Sequence, residues 1–256
     1  MTAILRTDAV TMRFGGVTAV DQLTMEVMEG EIRGLIGPNG AGKTTSFNLI
    51  SGALKPTSGR VFFRDQEISG RDAADIAELG VVRTFQRPAL FGDFTVLRNL
   101  MVARHLHARE SLLQAVLGSG RAMEAKNEGI AMDILRFIGL DQYAGMEAAN
   151  LPYGHQRALN VAAALATEPK VLMLDEPVAG MNPVEKEAMT GLIRRLRDER
   201  GITIILVEHD MRTVMGVCER VTVLDFGKKL AEGTPREIAS DKRVIEAYLG
   251  SEESVA

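Results

Sequence analysis

"RGLIGPNGAGKTTSFNLISG", residues 33–52, decides how the rest of the chain is read. A short apolar run leads into Gly37–Thr44, which has the spacing G-x-x-x-x-G-K-[ST]. An apolar stretch at helical spacing follows. The order predicts a strand, a glycine-rich loop and a helix. Glycines in such a loop let backbone N–H groups converge on phosphate oxygens with no Cβ in the way, and the helix start adds positive partial charge. Lys43 is placed to reach the β- and γ-phosphates of a nucleotide, and the Thr44 hydroxyl to ligate Mg²⁺. Gly37, Pro38, Asn39, Gly40, Ala41, Gly42, Lys43, Thr44 and Thr45 are therefore the candidate phosphate cradle.

Two later stretches repeat one design, an apolar strand that ends in charge. "VLMLDEP" (171–177) reads as a strand buried on both faces that delivers Asp175 and Glu176 at its C-terminal end, where such sheets bind ligands. Asp175 is the candidate Mg²⁺ ligand through water, and Glu176 the group that polarises an attacking water. "ILVEHD" (205–210) brings Glu208, His209 and Asp210 to the end of another core strand, with His209 a candidate for the γ-phosphate side. In "RTFQRP" (83–88), Gln86 stands where the core gives way to a helical region. Its amide can serve Mg²⁺ or a bound water, although by itself it reads as an ordinary loop glutamine.

Working outward, residues 1–33 alternate apolar and polar positions and predict antiparallel strands with turns at "FGG" and "EG". "RVFFRDQEI" (60–68) reads as one strand, and "RDAADIAELG" (71–80) as a short helix closed by Gly80. Helical spacing dominates from about 88 to 167, in "TVLRNLMVARHL", "GIAMDILRFIGL" and "RALNVAAALA". Strand and helix then alternate through "PVEKEAMTGLIRRLRDER", "GITIILVEHD" and "RVTVLDFGKKLAEG", ending in a helical tail, "TPREIASDKRVIEAYLG". The expected fold is α/β: a P-loop NTPase core with a mixed sheet, an N-terminal antiparallel β subdomain and a helical insertion. A single domain over 1–256 is expected, with 1–87 and 168–256 as the nucleotide-binding lobe and 88–167 as the helical subdomain.

The whole chain sets bounds on these readings. Its 256 residues carry a formal net charge of −4, which argues against a nucleic-acid partner. The single cysteine, Cys218, excludes an internal disulfide and fits a reducing compartment. No signal peptide is evident, and no apolar run nears the roughly 18 residues of a membrane span. The chain is expected to be soluble, with docking onto a membrane protein left open. His105 and His107, two apart on a helical stretch, do not face one another and make no metal site.

The ordered set "GPNGAGKTT", "TFQ", "LPYGHQR", "VLMLDEP", "AGMNP", "EHD" resembles the ATP-binding subunit of ABC transporters, over nearly the whole chain. The resemblance implies ATP and Mg²⁺ as ligands, an ATPase coupled to transport, and two ATP-binding subunits packed head to tail. Where that family carries Leu-Ser-Gly-Gly-Gln, this chain has Leu151-Pro152-Tyr153-Gly154-His155. The resemblance makes Leu151, Tyr153, Gly154, His155 and Asn182 contacts to ATP held by the other subunit. Pro152 removes a hydroxyl and an N–H, and Tyr153 replaces a glycine. By the same resemblance Phe14 stacks on adenine with Val20 beside it, and "FGDFTVLRNL" (91–100) meets transmembrane permease subunits, unless its apolar residues are core. "GVVRTFQRPALF", "NLPYGHQRALNVAAALATEPKVLMLDEPVAGMNP" and "EIASDKRVIEAYLG" look most like the ATPase of branched-chain amino acid importers. That implies a subunit peripheral to the cytoplasmic face of the membrane, a homo- or heterodimeric partner cassette, and a substrate-binding protein engaged indirectly. Lipopolysaccharide-export and urea-import ATPases look related. A soluble assembly or remodelling ATPase and a regulatory nucleotide-binding module are the rival classes.

Overall fold

A computed structural model describes residues 2–84, 90–104 and 120–252. Two sheets organise it. The first is antiparallel, in the order β2-β1-β4-β5, and is built from β1 (Ala3–Phe14), β2 (Val17–Met28), β4 (Ser58–Phe63) and β5 (Gln66–Glu67). The second has six strands in the order β10-β9-β3-β8-β7-β6. Its members are β3 (Ile32–Ile36), β6 (Val81–Arg83), β7 (Val171–Asp175), β8 (Thr203–Val207), β9 (Arg220–Asp225) and β10 (Lys228–Gly233). Pairing is parallel from β9 through β6, and only β10 runs against its neighbour. This is the mixed sheet and the antiparallel N-terminal layer expected from sequence.

All five residues of β3, β7 and β8 are buried, which is why these strands are continuously apolar. Alternation sorts their side chains into two cores. Val171, Met173, Ile205 and Val207 face the antiparallel sheet and helices α1 (Lys43–Ile50) and α2 (Ala73–Leu79), in one core with Phe47, Leu23, Val61 and Ile76. Leu172, Leu174, Ile204 and Leu206 face the other way, into the core shared with helices α3 (Val96–Ala103), α4 (Gly120–Ile138), α5 (Tyr153–Leu165) and α6 (Pro183–Arg200).

The registers decide the function. Leu35 and Asp175 both lie level with Val207, so β3, β7 and β8 end together at one edge of the sheet. That edge receives the loop to α1, the Asp175–Glu176 pair and the Glu208–Asp210 turn.

Several local readings differ from the structure. "RVFFRDQEI" is not one strand. Arg64 takes a left-handed φ of 53° and turns the chain from β4 into β5. "RVTVLDFGKKLAEG" likewise folds back at Phe226–Gly227, with φ of 42° and 80°, to make the β9–β10 hairpin. Neither turn opens with the Asn, Asp or Gly that announces such a bend. Helix α7 (Met211–Val217), capped by the Asp210 side chain, stands unannounced between β8 and β9. The tail breaks at Asp241 into α8 (Pro235–Ser240) and α9 (Lys242–Glu252).

Arg33 ties the two sheets together. It is 1% exposed and sits within β3. Its guanidinium pairs with Glu31 at 2.7 Å and Glu232 at 2.9 Å, and donates to the Glu26 carbonyl on β2 at 2.6 Å. Removing one member of a buried ion cluster strands the others. Arg33→Ala is therefore expected to lower the unfolding free energy by about 3–5 kcal/mol, read as a shift in the urea midpoint.

Candidate functional site

The loop from β3 to α1 is held so tightly that two of its positions admit only glycine. Gly37 has φ +151°, and a Cβ there would lie 2.2 Å from the Leu224 carbonyl oxygen. Gly42, at φ +97°, caps α1, and its Cβ would lie 2.4 Å from the Ala19 carbonyl oxygen. The loop is thus wedged between the ends of β9 and β2. Gly227 of the β9–β10 turn adds a 3.1 Å hydrogen bond from its N–H to the Ala41 carbonyl. Asn39 and Gly40 are exposed at the tip, and Thr44 is exposed on the first turn of α1.

Lys43 folds back over the loop, donating to the Gly37 carbonyl at 2.7 Å and the Pro38 carbonyl at 2.8 Å. Burial pushes its pKa below the ordinary lysine value, while Glu176 and Asp175 oppose that shift. A cation short of solvent, facing two carboxylates, is ready to take an anionic phosphate.

Asp175 is buried at the end of β7. Its Oδ2 is held by Arg83 at 2.7 Å, and Arg83 also donates to the Asn48 side chain on α1. Sequence reasoning missed Arg83. The available signal was a cation at the end of β6, the strand beside the one that ends in aspartate. Glu176 follows in a left-handed conformation, φ 47°, with its N–H continuing the ladder to the Val207 carbonyl at 2.9 Å. Its Oε1 lies 3.8 Å from His209 Nδ1. The His209 side chain is 64% exposed. Glu208 beside it is wholly buried, and burial pushes its carboxyl above the usual range against N–H donors from Val178, Asp210 and His209.

The structure therefore gathers Gly37–Thr45, Asp175, Glu176 and His209 at one sheet edge. Gln86 lies outside the described residues, as do His105 and His107. Phe14 is 48% exposed at the tip of the β1–β2 hairpin, an available aromatic face. Val20 is fully buried below the loop and presents no surface to a base. In "FGDFTVLRNL", Phe91 stacks on Phe94 at 5.2 Å and is exposed, whereas Leu100 is core.

The stretch 151–155 opens helix α5. Pro152 is the N-cap, and the helical bonds begin with Gln156 N–H to the Pro152 carbonyl, 3.0 Å. The amides of Tyr153, Gly154 and His155 precede that bond, and no side chain of the N-cap covers them. The N–H that Pro152 lacks is one the helix does not use. Leu151 is 4% exposed and belongs to the core, so its side chain touches no outside ligand. The His155 ring packs against Tyr143, centroids 5.2 Å apart, and lines a cavity of about 330 Å³ with Leu140, Met181 and Met189. Its Nδ1 is buried, and the residue as a whole is half-buried. Asn182 caps α6, accepting from Val184 and Glu185 N–H groups at 3.0 Å each.

Oxygen donors from Thr44 and Asp175, beside a phosphate-binding loop, suit Mg²⁺, which prefers one or two protein oxygens plus phosphate and water. Among the described residues no group of three or more His, Cys, Asp or Glu is placed to hold a metal ion.

A glycine-rich loop before a helix, a buried aspartate and its neighbouring glutamate, and a histidine at the third strand end define a nucleotide-hydrolysing cassette. The chain belongs to the ABC transporter family, whose profile matches residues 20–179. A second profile, described as branched-chain amino acid ATP-binding cassette transporter, matches residues 228–254. The chain is 45% identical to the high-affinity branched-chain amino acid transport ATP-binding protein LivG of Escherichia coli K12, over 96% of this chain and 98% of that protein. It is 41% identical to BraF of Pseudomonas aeruginosa, the protein of the same description, with the same coverage. A solved ATP-binding cassette from an ABC transporter, in its ADP conformation, superposes with a TM-score of 0.85 at 32% identity, covering 98% of this chain and 100% of that one. The chain is thus an ATP-binding cassette of the family, an ATPase coupled to transport.

Two outcomes follow. Lys43→Ala is expected to lower turnover by about 100-fold or more, with loss of affinity for a fluorescent ATP analogue. Asp210, at the cap of α7, is held below the usual aspartate range chiefly by Lys186, with help from Thr213, although partial burial opposes this. A lowered carboxyl contributes stability that is complete above its unfolded value, about 3.9, and is lost as pH falls through the lowered folded value. Asp210→Asn is therefore expected to flatten the fall in melting temperature below about pH 4, read by thermal unfolding across pH 2–7.

Proposed function

We propose that this cassette is one of two ATP-hydrolysing subunits of an importer for branched-chain or other hydrophobic amino acids, peripheral to the cytoplasmic face of its membrane. The observation that carries the hydrolytic part is the convergence of the β3–α1 loop, Asp175, Glu176 and His209 on one sheet edge. The substrate class is supported by the relatives named above and by the profile over the C-terminal segment. Membership of the ABC transporter family supports permease subunits as partners; among the described residues no helix is long and apolar enough to cross a membrane. A substrate-binding protein would act through those subunits.

In this reading the loop amides and Lys43 hold the β- and γ-phosphates of ATP, and Phe14 offers its ring to the adenine. Thr44, Asp175 and Gln86 would hold Mg²⁺, which would supply charge neutralisation for the phosphates. Glu176 takes the proton of the attacking water, and His209 steadies the γ-phosphate oxygens. The work is positioning and electrostatics rather than covalent chemistry. The amides at the start of α5 and the loop through Asn182 face ATP held by the second cassette. Gln86 and the helical region 88–167 carry the change toward the permease.

Glu176→Gln is expected to cut hydrolysis by more than about 100-fold while leaving ATP binding intact, so that Mg-ATP converts the chain to a dimer by mass in solution. A chain that binds ATP and stays monomeric points to a second, different cassette as its partner. Failure to co-purify with polytopic membrane subunits from the source cell would instead favour a soluble remodelling ATPase.

A further inference from the structure

The departure at position 153 has a structural partner. Where the family carries a glycine, the Tyr153 hydroxyl donates to the Ala179 carbonyl at 3.1 Å. Arg157, one turn further along α5 and 5% exposed, donates from Nε to the Tyr153 hydroxyl at 2.9 Å and from Nη2 to the Ala179 carbonyl at 3.2 Å. Gly180, at φ +77°, seats against the tyrosine ring, and a Cβ there would lie 3.2 Å from it. Two hydrogen bonds and a ring contact thus join the start of α5 to the loop that follows Glu176, and the third bond, Arg157 to Tyr153, braces the two side chains within the helix.

That loop has a second anchor. Glu208 Oε1 accepts the Val178 N–H at 3.0 Å. Its Oε2 accepts the N–H groups of His209 at 3.2 Å and Asp210 at 3.3 Å. One side chain therefore grips the loop behind Glu176 and the backbone that carries His209. Adjacent residues 178, 179 and 180 are held from two directions, by β8 and by α5.

We infer that Tyr153 and Arg157 are positioning residues that fasten the head of α5 to the loop behind Glu176, and that Glu208 extends the fastening to His209. Contact of α5 with ATP on a second cassette is thereby transmitted to this chain's own hydrolytic residues. The inference rests on the proposed reading that the start of α5 faces a partner's ATP. A glycine at 153 leaves that end of the helix to move by itself. A tyrosine bonded to Ala179 makes helix and loop move together. None of these three side chains touches nucleotide in this account, so each acts through the backbone it holds.

The test compares Tyr153→Phe, Arg157→Lys, Arg157→Gln and Glu208→Gln in the full chain, paired with whichever cassette it dimerises with. Tyr153→Phe keeps the ring on Gly180 and removes the hydroxyl. It is expected to lower kcat by about threefold to tenfold, the effect of one or two hydrogen bonds, with the ATP KM and melting temperature nearly unchanged. Cooperativity in ATP should weaken. Arg157→Lys should retain more activity than Arg157→Gln. The double variant Tyr153→Phe with Glu208→Gln should lose less than the product of the single losses, because both act on one loop. In the nucleotide-free chain, Tyr153→Phe should speed amide hydrogen exchange at residues 178–181.

Unchanged kcat, cooperativity and exchange in Tyr153→Phe would overturn the inference. So would a loss of kcat that tracks a loss of ATP affinity or melting temperature, since that marks a purely structural role. If Glu176→Gln forms no ATP-dependent dimer with any cassette while Tyr153→Phe still speeds exchange and slows turnover, the paired-site reading fails and the fastening within the chain stands.

Discussion

The structure depends on a loop with no room in it. Gly37 and Gly42 are pressed against the carbonyls of Leu224 and Ala19, so the ends of β9 and β2 set the path of the backbone between them. A loop clamped in this way keeps its N–H groups pointed at one place without side chains to steer them. The cost is an edge where carbonyl and amide dipoles crowd with little solvent. Lys43, bonded to the carbonyls of Gly37 and Pro38, spreads positive charge over that crowding. Arg83 does the same for Asp175.

The parallel sheet supplies the rest. With β3, β7 and β8 in register, three different chain segments end within one edge, and chemistry that none of them could perform separately is assembled there. Glu176 and His209 follow the ends of the adjacent strands β7 and β8 and come within 3.8 Å. Burial of whole strands makes this geometry stiff, because shifting any one of them would move apolar side chains on both faces.

The core of this arrangement was legible in the sequence because its constraints are local. The spacing from Gly37 to Thr44 and the apolar strands ending in Asp175 and Glu208 each announce their role within ten residues. The turns at Arg64 and Phe226 were not legible, since a left-handed backbone held by its surroundings leaves no glycine or asparagine at its first position. The packing of His155 against Tyr143, twelve residues upstream, is likewise not announced by the motif. The side chains of Val20 and Leu151 lie in the core, because a motif records neighbourhood and not direction. Arg83 and the Tyr153–Arg157–Ala179 contacts span tens of residues and appear only once the sheet has brought their segments together.

"LPYGHQR" is then a helix start whose amides remain ahead of its first internal bond, with a tyrosine securing it from behind. The central claim is that these amides serve ATP on another subunit. The most direct measurement is photocrosslinking from a γ-phosphate-labelled ATP analogue in a mixed dimer, one member carrying Lys43→Ala and an affinity tag. Label on residues 151–157 of the tagged chain, which cannot hold its own nucleotide, is the predicted result. Label confined to the untagged chain, the one that binds the analogue, would contradict the account.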